Sequence, residues 1–124
     1  MDREDFRCDY EFIRKEMKIP NKIRIGGQEL EVTIVPDLDG DLGKCCLAEG
    51  LIRIAQKFDG REQSATSKEN TYWHEVIHAV LDTMGEHELS RNEKFVCCFA
   101  GFLTECIRSM EDNDARGSGE KKKK

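Results

Sequence analysis

The spacing of apolar residues divides the chain into a short sheet followed by two long helices. Apolar and polar residues alternate over Lys22–Ile25 and again over residues 29–35, and Gly26-Gly27 between them favours a turn. This pattern predicts a β-hairpin. Residues 43–48 and Leu51–Ala55 predict two further strands, joined by a turn, so the sheet has three or four strands that are mostly antiparallel.

Helical spacing appears on both sides of this predicted sheet. Residues 3–17 place apolar side chains three and four positions apart, which predicts an N-terminal helix. A long helix begins within residues 62–70 and ends at Met84, where Gly85 suits the C′ position. Three residues are suitable N-caps for this helix: Ser64, Thr66 and Ser67.

A further helix is predicted after a short connection. Ser90 and Glu93 have the spacing of a capping box, which predicts a helix from there to about Met110. Residues 111–124 are polar and contain two glycines, so they are predicted to form a disordered tail. The fold class is therefore α+β, with residues 1–110 forming a single domain.

Charge and cysteine content narrow the kind of protein. The 124 residues carry a net charge of −5; residues 111–124 hold five basic and four acidic residues, which leaves 15 basic against 21 acidic, or −6, in residues 1–110. This sign disfavours nucleic-acid binding. No membrane-spanning apolar run or secretory signal is evident, which predicts a cytoplasmic protein whose six cysteines are thiols packed as small apolar side chains.

The long helix carries the strongest chemical signal in the chain, the HExxH pentapeptide of residues 74–78. Side chains four positions apart share one face of a helix, so His74 and His78 can bind the same metal ion. Glu75 lies beside them, where a carboxylate can accept a proton from water that zinc activates. The pentapeptide therefore predicts a zinc-hydrolase site.

Zinc hydrolases typically use three protein ligands, and the packing of the two helices suggests the third. The apolar stripe of the first helix is Trp73, Ile77, Val80, Leu81 and Met84. That of the second is Phe95, Phe99, Phe102, Leu103, Cys106 and Met110, with Glu93, Val96, Ala100 and Ile107 along one edge. Packing these stripes together brings Glu93 towards the histidines. Glu86, His87 and Glu88 in the connection are the alternatives.

The motif and the following helix resemble the ImmA/IrrE family of zinc metallopeptidases, in particular small bacterial and phage-encoded members. In that family a helix patterned Glu-x-x-Ala-Asn-x-Phe-Ala-x-x-Leu-Leu follows HExxH. Four residues fit this pattern: Glu93, Phe99, Ala100 and Leu103. Val96-Cys97 departs from it. The resemblance covers residues 18–108 and implies a small zincin-like core, a gluzincin ligand set and a general base. The implied ligands are His74, His78 and Glu93, and the implied base is Glu75.

The sequence thus predicts a zinc-dependent metallopeptidase with a protein or peptide substrate, which would bind beside an edge strand in residues 43–48. Tyr72 and His87 are candidate oxyanion donors. The alternative is a non-catalytic, zinc-stabilised protein-binding module, in which a cysteine could supply a fourth ligand. A protease of DNA–protein crosslinks is disfavoured by the acidic charge. The substrate and the oligomeric state are left open.

Overall fold

Two antiparallel strand pairs are joined side by side through a parallel ladder. The computed structural model describes residues 19–123, with side chains described as far as residue 111; the helix predicted over residues 3–17 lies outside this range. The sheet consists of β1 (Lys22–Ile25), β2 (Gln28–Val35), β3 (Gly43–Cys46) and β4 (Leu51–Ala55). A separate small ribbon consists of β5 (Lys57–Phe58) and β6 (Arg61–Glu62).

The strand order is β1-β2-β4-β3, which places β3 at one edge of the sheet. The β1–β2 and β3–β4 ladders are antiparallel, whereas β2 and β4 run parallel, with Ile34 opposite Ile54. The predicted hairpin, the mostly antiparallel sheet and the α+β class are confirmed. The parallel ladder was not predicted, because alternation within one strand carries no information about its neighbour.

The long helix α1 spans Ala65–Met84, with caps at both ends. Ser64 is the N-cap, and its side chain accepts a hydrogen bond from the Ser67 N–H at 3.1 Å. Gly85 ends the helix in the left-handed conformation, at a φ of 85°. The predicted helix is therefore confirmed, with Ser64 as the N-cap among its three candidates.

The helix that follows α1 starts differently from the prediction. A short helix α2 (His87–Ser90) precedes α3 (Glu93–Lys123), and the Phe95 N–H donates to Asn92 Oδ1 at 3.1 Å. Asn92 is thus the N-cap, and the capping box predicted for Ser90 is wrong. The Ser-x-x-Glu spacing is present, but Ser90 is the last residue of α2 and cannot cap α3. Asparagine is as good an N-cap residue as serine.

The far end of α3 also differs from the prediction, which ended the helix near Met110 and assigned residues 111–124 to a disordered tail. The helix continues to Lys123. Adding residues to an existing helix costs far less than starting one, and no proline interrupts this stretch. Within the described residues, no helix combines the length and the apolar character needed to cross a membrane.

The helix α1 lies between two apolar clusters and therefore holds the domain together. One cluster joins it to the sheet: Leu30, Val32, Ile52, Ile54, Tyr72, Val76 and Ala79. The other joins it to α3: Ile77, Leu81, Val96 and Ala100. Trp73 packs against both clusters. Because α1 is covered on two sides, the remaining side of the helix is left for His74 and His78.

The face of α3 that packs on α1 is not the predicted one. Val96 and Ala100, predicted at the edge, are fully buried, whereas Phe99 and Phe102 are 48% and 68% exposed. On α1, Val80 and Met84 of the predicted stripe are also exposed, as are Phe95 and Met110 on α3. Small side chains let the two helices approach closely, so the narrow face of α3 is buried rather than its aromatic face.

Cysteine packing was also predicted incorrectly. The five cysteines of the described part of the chain are free thiols, as expected. Cys97, Cys98 and Cys106 are exposed rather than packed, however, and Cys45 and Cys46 are only partly buried. The three exposed thiols lie on α3 outside the narrow face that α1 covers.

Gly43 is the point of closest approach between β3 and α1. A Cβ at this position would lie 2.5 Å from Thr71 Cγ2 and 3.2 Å from Glu75 Cγ. Thr71 is buried, and its hydroxyl donates to Gln63 Oε1 at 2.8 Å, so its side chain cannot rotate away without losing that bond. We expect Gly43→Ala to lower the free energy of unfolding by about 1–3 kcal/mol in a denaturant titration.

Gly101→Ala is the matched control for this prediction. No atom lies within 4 Å of the position that its Cβ would occupy. Because alanine is the better helix former, this substitution should raise the free energy of unfolding by roughly 0.5–1 kcal/mol. If Gly43→Ala proved as stable as the wild type, the close contact between β3 and α1 would be refuted.

Candidate metal centre

Three side chains from α1 and α3 converge on one point. His74 Nε2 lies 3.2 Å from His78 Nε2 and 3.3 Å from Glu93 Oε1. His78 Nε2 lies 3.4 Å from Glu93 Oε2. One ligand atom from each residue lies within 4.8 Å of the other two, so His74, His78 and Glu93 form a group that could hold a metal ion. We call these three residues the ligand group.

The local fold explains why these residues meet. His74 and His78 are four positions apart on α1 and therefore project from one face. Glu93 is the first residue of α3, and it shares the narrow face of that helix with Val96 and Ala100, which are buried against α1. Burial of this face therefore turns the Glu93 carboxylate towards the two histidines.

The ligand group offers donor atoms that suit a divalent metal ion. Two imidazoles and one carboxylate form a donor set that zinc commonly takes in hydrolases. In a tetrahedral site with zinc–ligand bonds near 2 Å, neighbouring ligand atoms lie about 3.3 Å apart. The two separations from His74 Nε2, 3.2 and 3.3 Å, are close to that value, and the 3.4 Å separation from His78 Nε2 is to the other carboxylate oxygen of Glu93. Three ligands leave the fourth tetrahedral position for water or substrate.

The competing third ligands lie elsewhere. Glu86, His87 and Glu88 are exposed and do not belong to the ligand group found among the described residues. His87 Nδ1 lies 3.2 Å from Asp82 Oδ1, so its ring is engaged with another side chain. The arrangement thus favours Glu93, the residue that the sequence also favoured.

Ser90 supports the ligand group from behind. Its Oγ lies 3.0 Å from His78 Nδ1, and the residue is only 4% exposed. A hydrogen bond at Nδ1 orients the ring and leaves Nε2 to bind the metal. The sequence did not reveal this role, because the two residues are twelve positions apart and the Ser-x-x-Glu spacing suggested a cap instead. The local sequence held no signal for it.

We expect Ser90→Ala to weaken zinc binding by roughly 10–100-fold, the usual effect of losing a partner of a metal-bound histidine. Competition with a chromogenic chelator measures this affinity. Ser109→Ala, which removes an exposed hydroxyl from α3, serves as the control and should bind zinc like the wild type. Equal affinity in Ser90→Ala would show that the hydroxyl does not support His78.

Glu75 lies beside the ligand group in a mostly buried position. Only 7% of its surface is exposed. Burial, followed by the charges of Glu93 and Asp41, raises the pKa of Glu75 to about 7. A carboxyl group in this range can take up and release a proton near neutral pH. Burial and the neighbouring His78 lower the pKa of His74, which favours the neutral imidazole that binds metals.

A pocket of about 650 Å³ opens over the ligand group and Glu75. The edge strand β3 and the loop before it form one wall, and α1 and the start of α3 form the others. The sheet side contributes Asp41, Leu42, Gly43, Lys44, Cys45 and Leu47. The helices contribute Asn70, Thr71, Asp82 and Cys97 in addition to the ligand group and Glu75.

The two predicted oxyanion donors do not line this pocket. Tyr72 is 3% exposed and belongs to the cluster between α1 and the sheet. It precedes His74 by two positions and therefore projects from the opposite side of the helix. His87 lies on α2 at the surface, against Asp82. Both predictions are wrong. Asn70 and Thr71 are polar residues of the pocket that the sequence did not single out.

Cysteines line the pocket without joining the ligand group. Burial, followed by the charges of Glu75, Asp82 and Cys46, raises the pKa of Cys45 to about 12. A cysteine must give up its proton to bind a metal, so the raised pKa makes this thiol a poorer ligand than an ordinary cysteine. Cys97 faces the same pocket but lies outside the group identified among the described residues.

Comparisons with protein-family models, with curated proteins and with solved structures gave no match to this chain. A functional assignment therefore rests on the pentapeptide and on the arrangement of its side chains with Glu93.

Proposed function

We propose that this protein is a zinc-dependent metallopeptidase with a zincin-like core, similar in its motif to the ImmA/IrrE family. One observation carries the proposal. A mostly buried Glu75 lies next to three side chains that could hold a metal ion, in an open pocket bordered by an edge strand. This combination provides a group that can hold a metal ion, a base and a place for an extended peptide.

Each residue of the centre has a defined task in this proposal. His74, His78 and Glu93 hold the zinc ion. Bound zinc supplies a Lewis acid that makes water more acidic and polarises a carbonyl group. Glu75 accepts the proton of the attacking water and then passes it to the leaving amine. Glu75 lies beside the ligand group in the same pocket, where one carboxylate can serve both steps.

The proposed substrate is a protein or peptide in an extended conformation, with a regulatory protein as one candidate. The outer side of β3 has no neighbouring strand in the described sheet, so a peptide can pair with it through main-chain hydrogen bonds. Gly43 brings this strand next to Glu75. A peptide paired with β3 would therefore lie within reach of the base and the ligand group.

The other candidate, a zinc-stabilised binding module without turnover, would use the same ligand group. Such structural zinc sites normally have four protein ligands. No fourth His, Cys, Asp or Glu joins the group within the described part of the chain. This observation favours the hydrolase over the module.

Cleavage of a randomised peptide library by the zinc-loaded protein tests the proposal, with new termini identified by mass spectrometry. Glu75→Gln, with its zinc retained, is the control that separates this activity from a contaminating protease. Full zinc occupancy without any cleavage would favour the binding module instead.

A further inference from the structure

A second cavity continues the metal-site pocket along α1 and α3. It has a volume of about 720 Å³ and is lined by small and polar residues of both helices, among them Ser64, Ser67, Asn70, Gly101 and Arg108. Asn70 lines this cavity and the pocket over the ligand group alike. We call this cavity the inter-helix groove; it adjoins the metal centre at Asn70.

Contacts across the two helices show the direction of the inter-helix groove. Glu93 meets His74 and His78, Thr104 lies 3.4 Å from Asn70 Oδ1, and Arg108 donates to Thr66 Oγ1 at 3.1 Å. The helices therefore run antiparallel, and the groove leads from the ligand group towards the start of α1.

The length of the groove suits a short stretch of peptide. From His74 back to Thr66, α1 rises by about 12 Å at roughly 1.5 Å per residue. An extended chain advances about 3.3 Å per residue, so the groove holds about four residues.

The polar groups of the groove can recognise a peptide main chain. Asn70 is exposed, and its Nδ2 has no hydrogen-bond partner among the described residues. Thr104 donates its single proton to the Ala100 carbonyl at 2.7 Å, so its longer contact with Asn70 Oδ1 is weak. The Asn70 amide is therefore available both to donate to a main-chain carbonyl and to accept from a main-chain N–H.

The charge and the shape of the inter-helix groove are also compatible with a peptide main chain. Arg108 Nε lies 2.9 Å from Glu69 Oε1, so the guanidinium charge is balanced within the protein. Gly101 lies on the α3 side, and a Cβ there would meet no atom within 4 Å, so the surface above it is open. Glu105 is the other charged residue of the lining. The groove thus offers hydrogen bonds and space, with one carboxylate on its α3 side.

We propose that the inter-helix groove is a peptide subsite, in which about four residues on one side of the scissile bond lie extended between α1 and α3. Asn70 holds the main chain where it leaves the metal centre, and Gly101 keeps the path open. The inference rests on the proposed function, and it adds that cleavage requires a substrate chain of a minimum length.

Hydroxamates that bind zinc directly provide the test. One series extends acetyl-alanine peptides from a C-terminal hydroxamate, and the other extends alanines from an N-terminal malonyl hydroxamate, so the two series probe both sides of the metal. Only the series that enters the groove should gain affinity with length. Its affinity, measured by calorimetry, should rise about tenfold from the compound with one alanine to the compound with four, which is the gain expected from one or two hydrogen bonds. Gly101→Phe and Asn70→Ala should remove most of this gain.

The controls separate the groove from the metal and from the fold. Gly101→Ala should keep the full gain with length, and both Gly101 variants should bind acetohydroxamate like the wild type. The Gly101→Phe variant should fold normally, because glycine is a poorer helix former than phenylalanine and no atom lies within 4 Å of the new Cβ. An affinity that does not grow with length, or a gain that survives Gly101→Phe, would overturn the subsite.

The outcomes also separate this inference from the proposed function. Length-dependent binding without cleavage of any library peptide would leave the groove as a binding site and would refute the hydrolase. Cleavage without a length effect would refute the groove alone. If acetohydroxamate did not bind the zinc-loaded protein, both the proposed metal centre and the subsite would be refuted.

Discussion

Glu75→Gln is expected to lower kcat/KM for peptide cleavage by about 100- to 10,000-fold, while the protein keeps its zinc. Glutamine has nearly the same shape as glutamate, so the pocket beside Gly43 is preserved. Its amide cannot accept a proton from water, and the general-base step is lost. Because the side chain is mostly buried, a neutral group also costs less to bury than a carboxylate, so the variant should be at least as stable as the wild type.

The measurement needs activity and metal content from the same preparation. Cleavage of the best library peptide gives kcat/KM, and inductively coupled plasma mass spectrometry gives the zinc content. Glu88→Gln makes the same chemical change at an exposed position on α2, and it should leave both quantities unchanged. Cleavage by Glu75→Gln at the wild-type rate would mean that Glu75 is not the base.

His78→Ala is expected to weaken zinc binding by more than about 100-fold and to abolish peptide cleavage. The loss of a residue that only hydrogen-bonds a metal ligand costs up to about 100-fold, and here a ligand itself is lost. The substitution removes one ligand atom of the ligand group. It also leaves the buried Ser90 hydroxyl without the imidazole that it contacts. Both losses act on the same site, so the effect should exceed that of Ser90→Ala.

Equilibrium dialysis against a zinc buffer measures this affinity directly. His87→Ala provides the matched control, because His87 is exposed and lies outside the ligand group of the described residues. It should bind zinc like the wild type. If His78→Ala and His87→Ala retained the same zinc affinity, the ion would have to be bound elsewhere, and the centre would be disproved.

Local signals were enough to predict the elements that carry the histidines. The β1–β2 hairpin follows from alternation around two glycines, and α1 follows from helical spacing that ends at Gly85. The spacing of His74 and His78 then fixes their common face. These predictions depend only on neighbours within a few residues, which is why they could be made from the chain alone.

The rotation of α3 could not be predicted from the same kind of signal. Large aromatic residues at helical spacing suggested a buried face at Phe95 and Phe99, yet the buried face contains Val96 and Ala100. The packing of two helices depends on how closely their backbones approach, which hydrophobicity alone does not encode. Glu93 was nevertheless predicted to approach the histidines. It lies on the same edge of α3 as Val96 and Ala100, and this edge packs against α1.

Contacts between distant parts of the chain were beyond the reach of the sequence. The parallel ladder between β2 and β4 depends on pairing across an intervening loop and strand. The hydrogen bond between Ser90 and His78 depends on how α2 folds back on α1. The groove shared at Asn70 depends on the crossing of α1 and α3. Each is a property of tertiary packing and has no periodic signature.

The three proposed metal ligands all lie within residues 74–93, so a bound ion can stabilise only the segments that this stretch connects. An ion held by the ligand group would fasten the first turn of α3 to α1, and none of the three ligands lies on β2 or β4. Release of the ion therefore lowers the cost of a local opening, in which the amides of that first turn exchange with solvent while those of the sheet keep their protection. The apo protein would be a folded scaffold with one loosened helix, ready to close again when the ion returns.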